Sequence, residues 1–515
     1  MSRRRLPGII APLVAATFVS SCSLWSVGPD FVRPAAPDAQ RYTKEPLATH
    51  TASINAPGGQ AQHFVPNQDI PAQWWALFRS PKLNALIERS LKASPTLDAA
   101  TAALRSARES VLAQNGKYFP QVQADYAASR QRSPAVLSPP LSITTADLYN
   151  LHTTQLAISY SPDVWGLNRR TVESLQALAD NQRFQLEAAY VTLASNIIAA
   201  AVQEANMRDQ IAATHRLIDI NVDILGLMQK QLKEGYENRI DVAAQESLLA
   251  QMRATLPPLE KQLDQQRDLL AALSGRFPND PPSETFVLTS FHLPSNLPVS
   301  LPSSLIAQRP DVRAAEEQLH ATGALVGVAT ANMLPQFTLS ANGGYMSTML
   351  AGLLAPQNGF WTLAGGVTQP VFDGFTLLHE KRAAEDNYDQ AAAQYRSTVL
   401  NALQNVADTL HALQADAKAL KAAVEWERAT KLSLDLTRQQ MREGYVNFIL
   451  LLTAEQAYQQ AVLNLVQAKA TRLADTAALF QALGGGWWNR GDVPAVDPTP
   501  SIVLTEAAPT AAKQQ

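Results

Sequence analysis

The sequence predicts a mainly α-helical chain that carries four β-strands and is built as one unit written twice. Two observations support this. Short motifs recur in the same order, 208 to 215 residues further along the 515-residue chain. In each copy, two alternating apolar–polar segments of roughly 10 residues precede a proline-poor, seam-forming stretch longer than a globular domain needs.

The duplication is read from five matches. Ser94-Pro95-Thr96-Leu97 returns as Arg309-Pro310-Asp311-Val312, and Phe119-Pro120-Gln121 as Leu334-Pro335-Gln336. Pro162-Asp163-Val164-Trp165-Gly166 corresponds to Pro370-Val371-Phe372-Asp373-Gly374. Glu234-Gly235-Tyr236 corresponds to Glu443-Gly444-Tyr445, and Ala272-Leu273 to Ala482-Leu483. One order with so little drift in offset argues against chance similarity between two Ala- and Leu-rich regions.

Each copy opens with a helical stretch, 83–117 and then 303–333. Pro120 and Pro335 mark the ends, because proline cannot continue a helix. Period-2 segments follow. Val122, Ala124 and Tyr126 alternate with Gln121, Gln123 and Asp125; Phe337, Leu339 and Ala341 alternate with Gln336, Thr338 and Ser340. After polar or Gly/Pro-rich loops (130–151 and 346–358), Leu156, Ile158 and Tyr160 form a second alternating run, matched by Trp361, Leu363 and Val367. Strands with one apolar and one small or polar face, at this length, fit tilted membrane strands.

Beyond Pro162 and Pro370 the pattern becomes helical. Leu167 to Glu234 contains no proline and a single glycine, Gly226; as one helix it would be about 100 Å long. Ile211, Ile218, Leu225 and Leu232 repeat every seven residues, and Leu249, Met252, Leu256, Leu259, Leu263, Leu270 and Leu273 form the returning seam. Pro257-Pro258 should break that arm. The second copy has a weaker seam (Val462, Leu465, Leu473, Phe480, Leu483) and no such prolines. Glycine at each turn suits a helix C-cap.

The organisation follows: 1–21 export signal, 22–82 extended segment, 83–275 first repeat, 276–302 proline-rich linker, 303–486 second repeat, 487–515 flexible tail. The signal reading rests on a basic start (Arg3-Arg4-Arg5) and an uncharged, mostly apolar run, Leu6 to Val19, too short to span a bilayer. That run ends Val19-Ser20-Ser21-Cys22, and Cys22 is the only cysteine. Small residues before it resemble a bacterial lipobox, so Cys22 is the expected acylated lipid anchor; Ser23 after it, in place of an acid, resembles the bacterial lipoprotein sorting pattern that implies outer-membrane delivery.

Composition excludes other classes. Charged residues make up 17% and hydrophobic residues 46%, and the formal net charge is −3. Neither disorder nor nucleic-acid binding fits those figures. One cysteine forms no intramolecular disulfide and no CxxC metal site. No HExxH, GxSxG or P-loop occurs, the eight histidines are dispersed, and Gly484-Gly485-Gly486 follows a helix and precedes Trp487-Trp488, unlike a phosphate loop. No enzyme activity and no metal or cofactor is expected. Ala188 to Gln203 is uncharged, but sixteen residues that include Ser195 and Asn196 are too short and too polar for a membrane helix, so the stretch reads as a close-packed helix seam.

Four strands per chain cannot close a membrane barrel, so strands and seams both require further copies; the residues leave their number open. Here the sequence resembles the TolC-like outer-membrane efflux factors, in particular the NodT-type lipoproteins. The stretches that carry the resemblance are Val27-Gly28-Pro29-Asp30-Phe31-Val32-Arg33-Pro34, Trp74-Trp75-Ala76-Leu77-Phe78, the duplicated proline motifs, the Glu-Gly-Tyr turns and Ala482-Leu483-Gly484-Gly485-Gly486-Trp487. The resemblance implies a homotrimer with a 12-stranded membrane β-barrel and a 12-helix periplasmic α-barrel. It implies a passive exit duct for small toxic compounds that works with a periplasmic adaptor and an inner-membrane transporter, or alternatively a duct for type I protein secretion. It also places the hairpin turns at a periplasmic tip and gate: Tyr236, Asn238, Arg239 and Asp241 in the first, Tyr445, Asn447, Phe448, Ile449, Leu452 and Thr453 in the second. Many relatives carry an acid where this chain has Thr453. Asp241 either replaces that charge or simply starts the return helix. Pro120, Pro162, Pro335 and Pro370 would mark the barrel–helix junctions.

Overall fold

The computed structural model describes residues 26–36, 41–132, 148–443 and 445–491. Cys22 and Gly444 lie outside the described residues. The chain divides into two compact units: Met1–Gln40, Ser94–Tyr190 and Arg309–Asn405 form the first, and Arg41–Ala93, Val191–Gln308 and Val406–Gln515 the second.

The elements are, in order, β1 (His63–Pro66), α1 (Pro81–Ala93), α2 (Pro95–Asn115), β2 (Gln121–Arg132), β3 (Leu148–Tyr160), α3 (Leu167–Lys233), α4 (Arg239–Ala254) and α5 (Leu256–Leu273). There follow β4 (Asn296–Val299), α6 (Pro302–Gln308), α7 (Pro310–Asn332), β5 (Gln336–Ser347), β6 (Gly359–Thr368), α8 (Thr376–Arg442) and α9 (Phe448–Ala482).

In the first unit β2, β3, β5 and β6 form an antiparallel sheet in that order. Its register sorts the side chains into two faces, since residues directly opposite in an antiparallel pair share a face. Val122, Ile158, Ala341 and Leu363 lie in one row, and Ala124, Leu156, Gly343 and Trp361 in the next. The opposite face carries the row Gln123, Ala157, Asn342 and Thr362, and the row Asp125, Gln155, Gly344 and Phe360. The sheet is therefore apolar on one side and polar on the other, as the alternation predicts. The strands are longer than expected: β2 runs to Arg132 and β3 starts at Leu148, inside the span read as loop.

The opening helix of each copy is broken, which corrects the single helices expected over 83–117 and 303–333. Pro95 and Pro310 begin new helices, and the residues before them are held extended (Ser94 ψ 115°, Arg309 ψ 122°). The proline ring forces this: it removes an N–H and crowds the preceding residue out of the helical region. Ser94 caps α2 by accepting the Leu97 N–H.

In the second unit, residues 41–82 and 276–302 hold more structure than the extended segment and linker expected there. β1 pairs in parallel with β4. A 3-10 turn, Trp74–Phe78, buries Trp74, Trp75 and Phe78, and Trp74 stacks on Phe480 with ring centroids 5.2 Å apart. The tail expected from 487 is also corrected: Trp487–Asn489 form a 3-10 turn, and Trp487 Nε1 donates to the Gln308 carbonyl at 2.6 Å. Gly484, Gly485 and Gly486 turn the chain at φ of 94°, 67° and 67°. A Cβ at Gly486 would stand 2.5 Å from the Ile70 carbonyl oxygen, so the turn admits no side chain there.

α3 and α8 each run unbroken for 67 residues. The return arm of the first copy breaks at Thr255, between α4 and α5, where Pro257-Pro258 follow; α9 is continuous over 35 residues. Leu217, Ile218, Leu248, Leu249 and Met252 form a core between the arms of the first hairpin. An 18-residue window of α3 is apolar enough to cross a membrane by length and composition alone, and half of it is buried within the protein. Ala194, Ile197, Ile198 and Ala201 are among the most buried residues, the close-packed seam expected for 188–203.

Arg472 is 1% exposed and ties the 51–62 segment to α9: it donates to the carbonyls of Gly58 (2.8 Å) and Gln60 (2.7 Å) and to the Thr51 hydroxyl (3.1 Å). Arg472→Ala removes three hydrogen bonds that tie the 51–62 segment to α9, one of them to the buried Thr51 hydroxyl, at a cost of about 2 kcal/mol. Calorimetry should show a lowered unfolding temperature, and limited proteolysis new cleavage between residues 51 and 62.

Candidate functional site

The two hairpin tips are built alike. α3 ends with Gly235 at φ 80°; the Gly235 N–H bonds to the Leu232 carbonyl and the Tyr236 N–H to the Gln231 carbonyl. This pair of bonds closes a helix through a left-handed glycine. Tyr445 N–H makes the equivalent bond to the Gln440 carbonyl. Two residues after each tyrosine an asparagine caps the returning helix: Asn238 accepts from the Asp241 N–H at 2.9 Å, and Asn447 from the Leu450 N–H at 3.1 Å. Tyr-x-Asn thus closes one helix and caps the next in both copies.

The tip residues named from sequence divide into two groups. Tyr236, Tyr445 and Ile449 are 82%, 77% and 61% exposed, and Arg239, Asn238, Asn447 and Thr453 are also exposed. Phe448 is buried with Met228, Val242, Leu434 and Leu451, and Leu452 packs beside them, so these two hold the hairpins together. The Thr453 hydroxyl donates to the Ile449 carbonyl one turn back. The Asp241 carboxylate accepts from the Asn238 side-chain amide and sits in the first turn of α4.

Sequence reasoning missed the polar pairs behind the tips. Gln245 Nε2 donates to Asn221 Oδ1 at 2.8 Å, both buried between α3 and α4. Arg438 on α8 reaches the buried Glu455 on α9 at 3.3 Å, where burial raises the Glu455 pKa.

The four prolines stand at the strand–helix junctions. Pro120 and Pro335 immediately precede β2 and β5; Pro162 and Pro370 follow β3 and β6 by two residues. After the latter two, an aspartate starts the long helix. Asp163 accepts from the N–H groups of Asn168 and Arg169, and Asp373 from that of Leu377. The Trp165 indole donates to the Pro335 carbonyl at 2.7 Å and so joins the two repeats.

Residues 26–34 form a strap over this region. The Val27 N–H bonds to the Trp165 carbonyl, and the buried Arg170 donates to the Val27 and Gly28 carbonyls and to Asp30 (2.6 Å). A Cβ on Gly28 would lie 2.4 Å from Gly327 Cα, so two backbones touch there. Phe31 stacks on His320 (4.2 Å, 17°), and Arg33 pairs with the buried Glu316 at 2.9 Å. Hydrogen bonds to Glu173 and Glu317 raise the His320 pKa to about 9 despite partial burial. Burial pushes Glu173 upward, but bonds from His320 and Arg170 outweigh it and hold the carboxyl below its usual range.

The one-sided sheet, each of whose strand pairs leads on into a 67-residue helix, defines a class: subunits of membrane channels. The family profile described as outer membrane efflux protein matches residues 86–276 and 301–485. The chain belongs to the outer membrane efflux protein family. The pyoverdine export outer membrane protein OpmQ of Pseudomonas putida is 28% identical over 444 residues, covering 85% of this chain and 93% of the relative. The toluene efflux pump outer membrane protein TtgF of Pseudomonas putida is 26% identical over 487 residues, covering 92% and 96%. Among solved structures, the outer-membrane channel OprN matches with TM-score 0.79 at 25% identity over 90% of this chain and 99% of that one. The Campylobacter jejuni CmeC channel shares the fold at TM-score 0.80 and 21% identity, covering 91% and 96%. The protein is an outer-membrane efflux channel component with the TolC-like fold.

The strap carries a pH dependence. A raised folded-state His320 pKa stabilises below the unfolded value of 6.5, and that stability is lost as pH rises through about 9. Hydrogen exchange at residues 26–34, corrected for intrinsic rates, should therefore show protection at pH 6 that falls by pH 10. His320→Gln should flatten the profile; an unchanged profile would detach His320 from the strap.

Proposed function

We propose that three copies of this chain close into one passive duct, joined to a periplasmic adaptor and an inner-membrane transporter that supply the energy. One observation carries the reading: a four-stranded sheet, apolar on one face, whose outer strands β2 and β6 have no further partner within the described residues. Membrane barrels need about eight strands or more, and an open edge in lipid leaves backbone groups unbonded. Three copies supply twelve strands, the number the family resemblance implies. The relatives are named for pyoverdine, toluene and solvent export, which supports small molecules over proteins as cargo.

Cys22 serves in this reading as the lipid anchor. Ser26 lies four residues further on, a reach of about 14 Å. Val27 is bonded to Trp165 beside Gly166, at the junction where the strands end and α3 begins. A lipid on Cys22 can therefore enter the membrane only close to the base of the strands. Acyl chains with an integral barrel make the anchorage redundant. Unheated gels of outer-membrane fractions should show a heat-sensitive trimer. Cys22→Ala should remain trimeric in that fraction while losing all lipid label. A soluble monomer would overturn the duct reading, and retained label the anchor.

The gate we infer at the tips is aromatic and apolar, formed by Tyr236, Tyr445 and Ile449. Asp241 belongs to the turn, because its N–H and carboxylate are both engaged by Asn238. Asp241→Asn should leave single-channel cation selectivity unchanged and destabilise the first hairpin by about 0.5 kcal/mol through the weakened helix N-terminus. A loss of cation selectivity would make Asp241 a gate carboxylate.

A further inference from the structure

Arg130 and Arg132 have no part in the duct described above. Both lie on β2 at the end of the sheet away from the long helices, opposite Asn150 and Leu148. Alternation puts them on the apolar face with Val122, Ala124 and Tyr126, and not on the polar face with Asp125. Neither side chain has a hydrogen bond or ion pair among the described residues, and both residues are exposed. No acidic residue shares their face of the sheet: beyond Tyr126 it holds Ala128, His152, Asn150, Leu148 and Ser347. The connecting residues 133–147 contain no basic residue and one acid, Asp147; residues 348–358 are uncharged. Among the described residues, the two arginines are the charged side chains on this face of the sheet beyond Tyr126.

Their level along the strand is set by aromatic rings. The Tyr126 hydroxyl bonds to His152 Nδ1 at 3.0 Å, and the two rings stack. Tyr345 lies in the same row of the register, and Trp361 in the next. Rings of this kind mark the boundary between hydrocarbon and headgroups. Arg130 and Arg132 stand four and six residues beyond Tyr126, about 10 and 15 Å higher for a strand tilted by about 40°. Arginine stems are long enough to reach back from there toward the headgroup layer. Below them Val122, Leu156 and Ile158 offer an apolar wall, and Met349, Leu350 and Leu354 of the neighbouring connection are 71%, 61% and 70% exposed.

We propose that Arg130 and Arg132 form an outward-facing site for the phosphate groups of an anionic lipid headgroup in the outer leaflet, with the acyl chains against the wall below. Guanidinium forks match phosphate oxygens in pairs. A free phosphate ion would meet the same forks, but only a lipid also uses the apolar wall. The site rests on the reading that this face of the sheet is turned to lipid.

The test titrates the detergent-solubilised full-length oligomer with diphosphoryl lipid A, its monophosphoryl form, phosphatidylethanolamine and inorganic phosphate, read by native mass spectrometry. Diphosphoryl lipid A should bind tightest. Arg130→Gln with Arg132→Gln should weaken it about 25-fold, roughly fivefold for each arginine. Adding Ser129→Arg to the double variant restores charge on the opposite face and should not restore binding. Millimolar inorganic phosphate should fail to displace the lipid. Equal lipid binding by wild type and double variant overturns the site; displacement by inorganic phosphate reassigns it to a free anion and overturns the lipid. Both variants are first checked as heat-sensitive oligomers in the outer membrane: a wild type without oligomers fails the duct reading, whereas intact oligomers with unchanged lipid binding fail the site alone.

Discussion

Lipid offers no hydrogen bonds, and the rest of the molecule is arranged around that constraint. Each sheet edge carries a row of backbone groups, and the two edges, β2 and β6, cannot meet within one four-stranded sheet. The internal duplication supplies a template for joining them. β3 and β6 are equivalent strands of the two repeats, as are β5 and β2, so a β6–β2 joint between chains repeats the β3–β5 joint within one chain. That internal joint already aligns apolar with apolar residues: Ile158 lies opposite Ala341 and Tyr160 opposite Leu339. A ring of such chains has alternating joints of nearly one kind, which is an economical way to satisfy every edge.

The next difficulty is the change from strand to helix, where periodicity switches from two to 3.6 residues. The chain solves it with the same three parts in both copies. A proline stops the ladder, an aspartate accepts the first free N–H groups of the helix, and a glycine at positive φ (Gly166, 80°; Gly374, 70°) makes the bend. The strap crosses the junction of the first copy, and its clips fall on both repeats: Arg170 on α3, and His320, Glu316 and Gly327 on α7. The strap thus fastens two elements that the sheet alone would connect only through strands.

Much of this was legible in the sequence, because it depends on local periodicity. The four strands, the long arms, the break near Pro257 and the Glu-Gly-Tyr turns follow from patterns within about twenty residues. The helix breaks at Pro95 and Pro310 were equally local; the signal was the proline itself, set inside a stretch whose apolar spacing continued across it. The second unit was harder. Its small parallel pairing, β1 with β4, joins residues more than two hundred positions apart, and Trp74 finds its partner at Phe480. Nothing periodic marks such contacts, and Pro- and Thr-rich composition hides them. At the tips, Asp241 could not be assigned from charge alone, since a gate and a helix start use the same carboxylate; the Asn238 contacts distinguish the two.

The two repeats also differ in their long helical hairpins. Along α8 the buried residues Ala391, Ala402, Leu413 and Val424 recur every eleven positions, with Tyr395, Val406 and Ala417 between them. An eleven-residue repeat has about 3.67 residues per turn, nearly that of a relaxed helix, whereas the seven-residue repeat of Ile211, Ile218, Leu225 and Leu232 on α3 demands left-handed supercoiling. The return arms differ too: α4 and α5 are separated at Thr255, while α9 is unbroken. Buried polar pairs add to the asymmetry. Asn221 and Gln245 fix the first hairpin through neutral hydrogen bonds, and Arg438 and Glu455 fix the second through an ion pair whose acid is buried. Separating a neutral pair exposes two groups that water readily accepts, but parting Arg438 from Glu455 within the packed seam would strand a charge, which costs several kcal/mol. The two hairpins are thus held in different ways: the first has a broken return arm and a neutral polar lock, the second an unbroken arm and a charged one.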